Sequence, residues 1–208
     1  MCGILGIASK TRVSDQAWLS KGNLSISHRG PDDAGSWWSE DGRIGLSHRR
    51  LSIIDLSANG HQPMHNHHND IVIVFNGEIY NYQELRDILK SKGHSFNTAS
   101  DTEVIMHAYK QWGKDCVKHF NGMFAFALFD KKEKKLMIAR DRAGEKPLYY
   151  AYINGSIRFA SEMKALMADP SFPRKLNYTA LDCYLLMGYV PGELCILEHV
   201  KKLPPAHY

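Results

Sequence analysis

The clearest apolar run of the chain is the β-branched stretch 71–75, Ile-Val-Ile-Val-Phe, which predicts a strand buried on both faces. A second apolar run, 1–7, opens the chain, contains two glycines and predicts another short buried strand. The polar triplet Asn76, Gly77 and Glu78 directly follows the stretch 71–75. We therefore expect these three residues at the end of a central strand.

Residues with helix-capping side chains precede the stretches that have helical apolar spacing. Ser14 or Asp15 can cap a first helix, which turns Trp18, Leu19 and Ile26 inward.

Two further helices are predicted by capping-box patterns. Asn81 and Ser100 are each followed three residues later by glutamate, and an apolar stripe comes next. Gly93 and Gly113 end these two helices. A last apolar helix is expected from about Leu181, ahead of a segment that has the composition of a connection.

Short apolar runs at close spacing predict an antiparallel sheet structure. The dipeptides Asp41-Gly42 and Asn154-Gly155 are hairpin turns between neighbouring runs. A run that is apolar on both faces must be covered on both sides, so we expect an α+β layered sandwich with the helices outside. The expected strands, besides the two above, are 35–39, 44–54, 124–129, 136–139, 148–153 and 157–160.

Composition excludes several classes of protein. With 208 residues, 44% hydrophobic and 23% charged, the chain is typical of globular domains. Its net charge of +4 is spread along the sequence, so no nucleic-acid partner is indicated. No apolar run reaches about 18 residues and no signal peptide opens the chain, so neither a membrane nor export is indicated and a cytoplasmic location is expected.

Neither disulfides nor a metal site are signalled. Cys116, Cys183 and Cys195 lie far apart without a C-x-x-C pair, which favours buried free thiols. Four histidines lie in the polar loop 57–70 without the paired spacing of a zinc motif, and exposed loop histidines explain them. These histidines are His61, His65, His67 and His68.

Cys2 directly after the initiator methionine is the unusual feature of the N-terminus. If Met1 is removed, Cys2 carries both a thiol, with a pKa of about 8.5, and an α-amine, with a pKa of about 7.7 to 8.0. The amine can then take the thiol proton without a histidine partner. The alternative is that Cys2 is one more small buried residue of a strand, which is the commoner fate of cysteine.

Other polar residues complete the chemistry that such a nucleophile needs. An oxyanion formed from a carboxamide requires hydrogen-bond donors, which the Asn76 side chain and the Gly77 N–H can supply. A substrate with an α-carboxylate and an α-ammonium requires a guanidinium and a carboxylate. Arg50 is available for the carboxylate, and Asp101 and Glu78 for the ammonium.

Several motifs, all in one order, carry a resemblance to a known family. The chain resembles the class II glutamine amidotransferase domain, and more narrowly the N-terminal glutaminase domain of glutamine-hydrolysing asparagine synthetases. Pro31 and the sequence Glu-Ile-Tyr-Asn after Gly77 point to this subfamily, which includes amidotransferases of surface-polysaccharide assembly. The motifs are 1–4 (Met-Cys-Gly-Ile), 28–32 (His-Arg-Gly-Pro-Asp), 48–55, 75–81, 100–103, 121–126, 140–150, 160–166 and 202–208.

The resemblance implies a role for each matching residue. Cys2 would be the nucleophile with its own α-amine as base, and Asn76 with the Gly77 N–H would form the oxyanion hole. Arg50 would hold the α-carboxylate of glutamine, with Asp101 and Glu78 on its α-ammonium. The backbone of the segment 51–54 would line the pocket, with Leu51, Ile53 and Ile54.

The same resemblance implies the fold and the domain organisation. The fold would be that of N-terminal-nucleophile hydrolases, a four-layer α/β/β/α sandwich of two antiparallel sheets. Residues 1–175 would form the glutaminase domain, and residues 176–208 would begin the connection to an absent synthetase domain. Arg29 lies near the entrance in the family and is expected at most to order its loop. Ion pairs between strands are the favoured role, and a second site the alternative, for the polar residues Arg140, Asp141, Arg142, Ser161 and Glu162.

The implied activity is hydrolysis of glutamine to glutamate and ammonia through a Cys2 thioester. Ammonia would pass to a synthetase domain, in cis or in trans, that makes asparagine or another amide, and a homodimer stays open. That domain would use ATP and Mg, whereas the glutaminase needs no cofactor, and the chain has no Ser-Gly-Gly-Leu-Asp-Ser-type pyrophosphate loop. The alternative is a module that binds glutamine or a partner without turnover.

Overall fold

Ten strands form two antiparallel sheets at the centre of the chain, of which the computed structural model describes residues 1–55 and 57–208. The strands are β1 (Gly3–Ser9), β2 (Asp33–Trp38), β3 (Ile44–Arg50), β4 (Met64–His65), β5 (Ile71–Ile79), β6 (Gly122–Asp130), β7 (Lys135–Arg140), β8 (Tyr149–Ile153), β9 (Ser156–Ala160) and β10 (Val200–Lys202). The first sheet has the order β10-β8-β9-β1-β3-β2 and the second β4-β5-β6-β7.

Among the described residues, five α-helices and three short 3₁₀ helices connect or cover the strands. The α-helices are α1 (Ala17–Ser25), α2 (Tyr82–Ser91), α3 (Asp101–Trp112), α4 (Met163–Leu166) and α5 (Tyr178–Met187). The 3₁₀ helices are Ser27–Arg29, Ala58–Gly60 and Gly113–His119. In the part of the chain that the structure describes, no helix has the length and apolar character needed to cross a bilayer.

Three apolar layers hold the sheets and helices together. Side chains such as Ile4, Val74 and Phe159 fill the space between the two sheets. A second cluster joins α2 and α3 to the outer face of the four-stranded sheet, and a third joins α1 and α4 to the six-stranded sheet. The predicted four-layer α/β/β/α sandwich is therefore confirmed.

Both predicted hairpin turns are present. Gly42 has a φ of +65° between β2 and β3, and Asn154 and Gly155 have φ values of 50° and 74° between β8 and β9. Two positive φ values in a row are what a type I′ turn requires, so the Asn-Gly pair sets this hairpin.

Strands β3 and β5 differ in length from their predicted spans. β3 ends at Arg50 and does not continue to Ile54. β5 continues through Asn76 to Ile79, because these residues stay paired with β6, as in the register Asn76↔Ala125. The triplet that begins at Asn76 thus lies at the end of a central strand, as expected, but within the strand and not beyond it.

The helix caps also differ from the predicted ones. The N-cap of α1 is Gln16, without a side-chain hydrogen bond, and the Asp15 carboxylate accepts the Ala17 N–H at 3.0 Å. Asn81 occupies the N-cap of α2, but its side chain bonds backbone groups of the segment that precedes β6. The capping box predicted there is therefore wrong.

The capping box predicted for α3 is half present. The Ser100 hydroxyl accepts the Thr102 N–H at 3.1 Å, as in a capping box. The Glu103 carboxylate instead accepts N–H groups of Asn97 and Thr98 in the preceding loop. Glu103 thus holds the loop onto the helix.

Helix α5 is exposed, although its sequence is apolar. Ala180 is its one buried residue. Asn177 caps its start through a hydrogen bond to the Ala180 N–H, and Gly188, with a φ of 77°, ends it. The large exposed side chains of this helix and its flanks, here called the α5 apolar face, are Tyr178, Tyr184, Leu185, Leu186, Met187 and Tyr189.

Candidate active site

Cys2 lies at the start of β1, next to the end of β3. The register Gly3↔Arg49 places Cys2 beside Arg50 and Leu51. The Leu51 N–H donates to the Cys2 Sγ at 3.4 Å, and the thiol donates to the Leu51 carbonyl at 3.6 Å. Burial raises the pKa of the Cys2 thiol, while the Leu51 N–H and the charge of Arg50 act in the opposite direction.

Side chains from two other segments hold the backbone around Cys2. The Arg29 Nε donates to the Cys2 carbonyl at 2.8 Å, and the Arg29 guanidinium pairs with Glu162 at 2.9 Å. The Ser161 hydroxyl accepts the Ile4 N–H at 3.0 Å. Arg29 therefore anchors the backbone of Cys2 directly, a closer role than the ordering of a loop.

The predicted site residues meet in one cavity of about 200 Å³. The size suits a ligand smaller than a drug-sized molecule. All nine of them line it: Cys2, Arg50, Leu51, Ile53, Ile54, Asn76, Gly77, Glu78 and Asp101.

Asn76 presents a buried donor to this cavity. The residue is 1% exposed, and its Nδ2 has no hydrogen-bond partner among the residues that the structure describes. A buried amide that lacks an acceptor costs about 1 to 3 kcal/mol, so such groups are rare unless they have a role in binding or reaction.

The backbone of β5 alternates between its two edges. The Tyr80 N–H donates to the Asn121 carbonyl on the β6 side, whereas the N–H groups of Phe75 and Ile79 point to the opposite edge and bond side chains there. Because N–H groups two residues apart in a strand point to the same side, the Gly77 N–H faces the opposite edge as well. The Gly77 N–H thus lies between the N–H groups of Phe75 and Ile79, both of which are already hydrogen-bonded.

Gly77 also needs to be glycine, because β6 approaches it closely. A Cβ at this position would overlap the Met123 carbonyl and lie 2.7 Å from the Phe124 Cα. Any side chain here would push β5 away from β6 and displace Asn76.

Arg50 is buried where β3 ends, and 7% of it is exposed. Its guanidinium donates to the Asp55 carbonyl and, at 3.0 Å, to the Ser57 carbonyl. Gly60 gives it room, because a Cβ there would overlap the Arg50 Nη2. Arg50 therefore shapes the loop beside the cavity as well as the cavity itself.

Asp101 is the first residue of α3 and is 4% exposed. Its Oδ2 accepts the Ile79 N–H at 3.0 Å. Burial raises the pKa of Asp101 to about 6, and the charge of Glu78 adds to the shift. The site thus holds two carboxylates that face a shared space, which favours a cation between them.

The sequence did not single out several other residues of the cavity. Gln62, Thr102 and Lys146 line it, and the Lys146 Nζ lies 3.6 Å from the Met1 Sδ. Gln62 lies in the polar loop 57–70, and Lys146 lies in the motif 140–150. Their inward position depends on tertiary packing that no local pattern encodes.

His48 is a further polar residue close to the site, and it is completely buried. Its Nε2 lies 3.0 Å from the Phe75 carbonyl. Burial lowers the pKa of His48 to about 3, so the imidazole is neutral and its Nε2–H donates to that carbonyl.

The ion pairs expected between strands are wrong for the segment 140–142. Arg140 donates to the backbone carbonyls of Gly144, Lys146 and Leu203, and Asp141 accepts backbone N–H groups, including that of Phe124. Arg142 likewise donates to a carbonyl, that of Lys118. Ser161 also bonds backbone, as described above. Glu162 forms ion pairs with Arg29, His28 and Lys164. Neither Glu162 nor these partners lie in strands, so the expectation of pairs between strands is wrong here as well.

The loop histidines have ordinary partners. His61 bonds Asp33 at 2.7 Å and His65 bonds Asn69 at 2.7 Å. Across residues 1–55 and 57–208, no three His, Cys, Asp or Glu side chains gather where they could hold a metal ion.

A thiol at the start of the first strand, between two antiparallel sheets and outer helices, has the architecture of N-terminal-nucleophile hydrolases. The fold is similar to that of the Bacillus subtilis glutamine phosphoribosylpyrophosphate amidotransferase complexed with ADP and GMP. The TM-score is 0.68 at 22% identity, over 80% of this chain and 43% of the other.

The sequence itself shows the family. The model of the glutamine amidotransferase domain family matches residues 1–208, and the chain belongs to this family. A putative glutamine-hydrolysing asparagine synthetase 2 of Methanocaldococcus jannaschii is 40% identical over 98% of this chain and 42% of its own length. The glutamine-hydrolysing asparagine synthetase 1 of Bacillus subtilis is 43% identical over 99% of this chain and 32% of its own length. The chain thus spans less than half the length of these relatives.

Proposed function

We propose that this chain hydrolyses glutamine to glutamate and ammonia, with Cys2 as the nucleophile. The observation that carries the proposal is the buried Asn76 Nδ2, which has no acceptor in the described part of the chain and lines the same cavity as the Cys2 thiol. A buried donor without an acceptor can donate a hydrogen bond to an oxygen atom that becomes negatively charged during the reaction.

The chemistry requires that Met1 is removed, so that the Cys2 α-amine is free. The amine takes the thiol proton, and the sulfur attacks the side-chain carboxamide carbon of glutamine. The Asn76 Nδ2 and the Gly77 N–H stabilise the oxyanion. When the C–N bond breaks, the protonated amine gives its proton to the leaving ammonia. Water then hydrolyses the thioester, which releases glutamate and restores the thiol.

The same cavity has groups for the α-carbon end of glutamine. The Arg50 guanidinium suits the α-carboxylate, and Asp101 with Glu78 suits the α-ammonium. Leu51, Ile53 and Ile54 also line this cavity. Charged groups of both signs at the α-carbon end would exclude amides that lack the amino-acid head group.

The direct test is glutamate release from glutamine by the purified chain, measured beside the intact mass of the same sample. We expect turnover in proportion to the fraction that has lost Met1. Binding of glutamine without turnover, by a sample whose Cys2 is free and unmodified, would instead support the module that binds without reacting.

The pH dependence of kcat/KM should show both titrating groups of the site. As the pH falls below about 8, protonation of the Cys2 amine removes the base, so log kcat/KM falls with a slope of one. Below about 6, protonation of Asp101 also removes the partner of the α-ammonium, and the slope becomes two. Asp101→Asn should have a lower kcat/KM and a slope of one throughout. A slope of two that persists in Asp101→Asn would contradict this role.

We further propose that the ammonia serves a synthetase domain that makes asparagine. Two observations support this proposal: the names of the relatives, of whose length this chain spans 42% or less, and the α5 apolar face. Leu185 and Leu186 are 73% and 85% exposed, and a second domain packed on α5 would bury these side chains. We place this pathway in the cytosol and assign the connection to residues 176–208.

The chain alone should make no asparagine and consume no ATP. The cavity has acceptors and donors for one amino acid, and the sequence has no pyrophosphate loop of the expected type. The measurement is ATP consumption with aspartate, glutamine and Mg²⁺ present. Amidation that depends on ATP but not on glutamine would refute the prediction.

A further inference from the structure

The cavity edge of β5 has no neighbouring strand beside Phe75. β4 has two residues, which pair as Met64↔Ile73 and His65↔Val72. If this register continued, Gln62 would lie opposite Phe75, with Pro63 between. The ladder instead ends at Met64, and the backbone of Gln62 does not pair with β5.

The Gln62 side chain replaces the missing strand. Its Oε1 accepts the Phe75 N–H at 2.7 Å, and its Nε2 donates to the Thr102 Oγ1 at 3.3 Å. The residue is 5% exposed and lines the cavity. One carboxamide thus joins β5 to the first turn of α3.

A second link between the same two elements lies four residues along the strand. The Asp101 Oδ2 accepts the Ile79 N–H at 3.0 Å, and Asp101 is the neighbour of Thr102 in α3. The two links attach the Phe75 and Ile79 amides to one helix turn, and the Gly77 N–H lies between them. The neutral His48 holds the Phe75 carbonyl from the other sheet.

We propose that Gln62 is a positioning residue for the oxyanion hole. It fixes the N–H of Phe75, the residue immediately before Asn76, so that the Asn76 Nδ2 and the Gly77 N–H keep their direction toward the substrate. It also transmits any movement of the α3 start, where Asp101 would bind the α-ammonium, to the strand that carries the two donors. The inference rests on the proposed glutaminase activity and deepens it.

Gln62→Met tests the proposal, because methionine has similar length and can form neither hydrogen bond. We expect kcat to fall about 10- to 100-fold, as for misplaced catalytic groups, with little change in KM. The matched control is Gln83→Met, the same replacement at an exposed position of α2, which should leave kcat unchanged.

Binding of glutamine separates positioning from simple structural damage. The affinity is measured by calorimetry in Cys2→Ala and in Cys2→Ala with Gln62→Met, neither of which can turn glutamine over. We expect equal affinities, because the oxyanion donors act on the transition state more than on the bound amide. A large loss of affinity together with an equal loss of kcat/KM would mean that Gln62 only maintains the pocket, and would overturn the proposal.

A second pair of variants is available if Gln62→Met does not fold. Thr102→Val removes the hydroxyl that accepts from the Gln62 Nε2, and Thr102→Ser keeps it. We expect the valine variant to lose more kcat than the serine variant at similar KM. Equal kcat values in the two variants would overturn the proposed link.

The outcomes also distinguish this inference from the proposed function. If wild type releases no glutamate, or if Asn76→Ala keeps its full kcat, the oxyanion hole itself is wrong. If Asn76→Ala loses kcat and Gln62→Met does not, the glutaminase stands and only the positioning role of Gln62 fails.

Discussion

Cys2→Ala is expected to abolish glutamate release, with a loss of about 10⁴-fold or more, because no other group of the cavity can form the thioester. Cys2→Ser should retain little activity, since a hydroxyl is far harder to deprotonate than a thiol. Neither change should prevent glutamine from binding, because Arg50 and Asp101 remain. The measurement is glutamate release under conditions in which wild type turns over many times.

Cys183→Ala is the matched control for the nucleophile. Cys183 is a free, half-exposed cysteine on α5, outside the cavity, so its loss should leave kcat unchanged. Turnover by Cys2→Ala at a rate near that of wild type would remove the thioester mechanism and leave the chain as a binding module.

Asn76→Ala is expected to lower kcat by about 10²- to 10³-fold, or about 2.7 to 4 kcal/mol of transition-state stabilisation, as for other single oxyanion donors. KM should change less than kcat, because the donor acts on the oxyanion more than on the neutral amide. Asn76→Asp is a second variant of similar shape, which has no donor and should lose at least as much. The readout is a full kinetic curve for each variant.

Thermal unfolding provides the control for Asn76. The Nδ2 has no partner within residues 1–55 and 57–208, so its removal breaks no hydrogen bond that stabilises the fold. We expect the Tm of Asn76→Ala to stay close to that of wild type. A large fall in Tm with a proportional loss of active protein would assign Asn76 to the fold, and an unchanged kcat would remove it from the oxyanion hole.

Local patterns predicted those elements whose signal is strong over several residues. The run 71–75 and the stripes of α2 and α3 are examples, since each buries a continuous apolar face. The short elements β10 and α4 gave no such signal, because three or four residues do not define a period. The full length of β5 was also missed, because polar residues such as Asn76 remain in a strand when the partner strand continues to bond their backbone.

The sequence predicted which residues line the candidate site, but not which residues hold them in position. The polar clusters and the resemblance named nine residues, and all nine line one cavity. The supporting residues Gln62, His48 and Arg29 were missed or understated, because each acts on a peptide group distant in sequence. Their contacts depend on the short length of β4 and on the packing of one sheet on the other, which no spacing along the chain predicts.

The short length of β4 also affects the tendency of the protein to aggregate. An unpaired strand edge presents a row of amides to which another chain can add, and this is a common start of aggregation. Here Gln62 and Asp101 already occupy the Phe75 and Ile79 amides, so an incoming strand would find only the Gly77 N–H. A single donor can hold an oxygen atom, but it cannot template a strand. We therefore expect this edge to accept a small molecule more readily than an added strand.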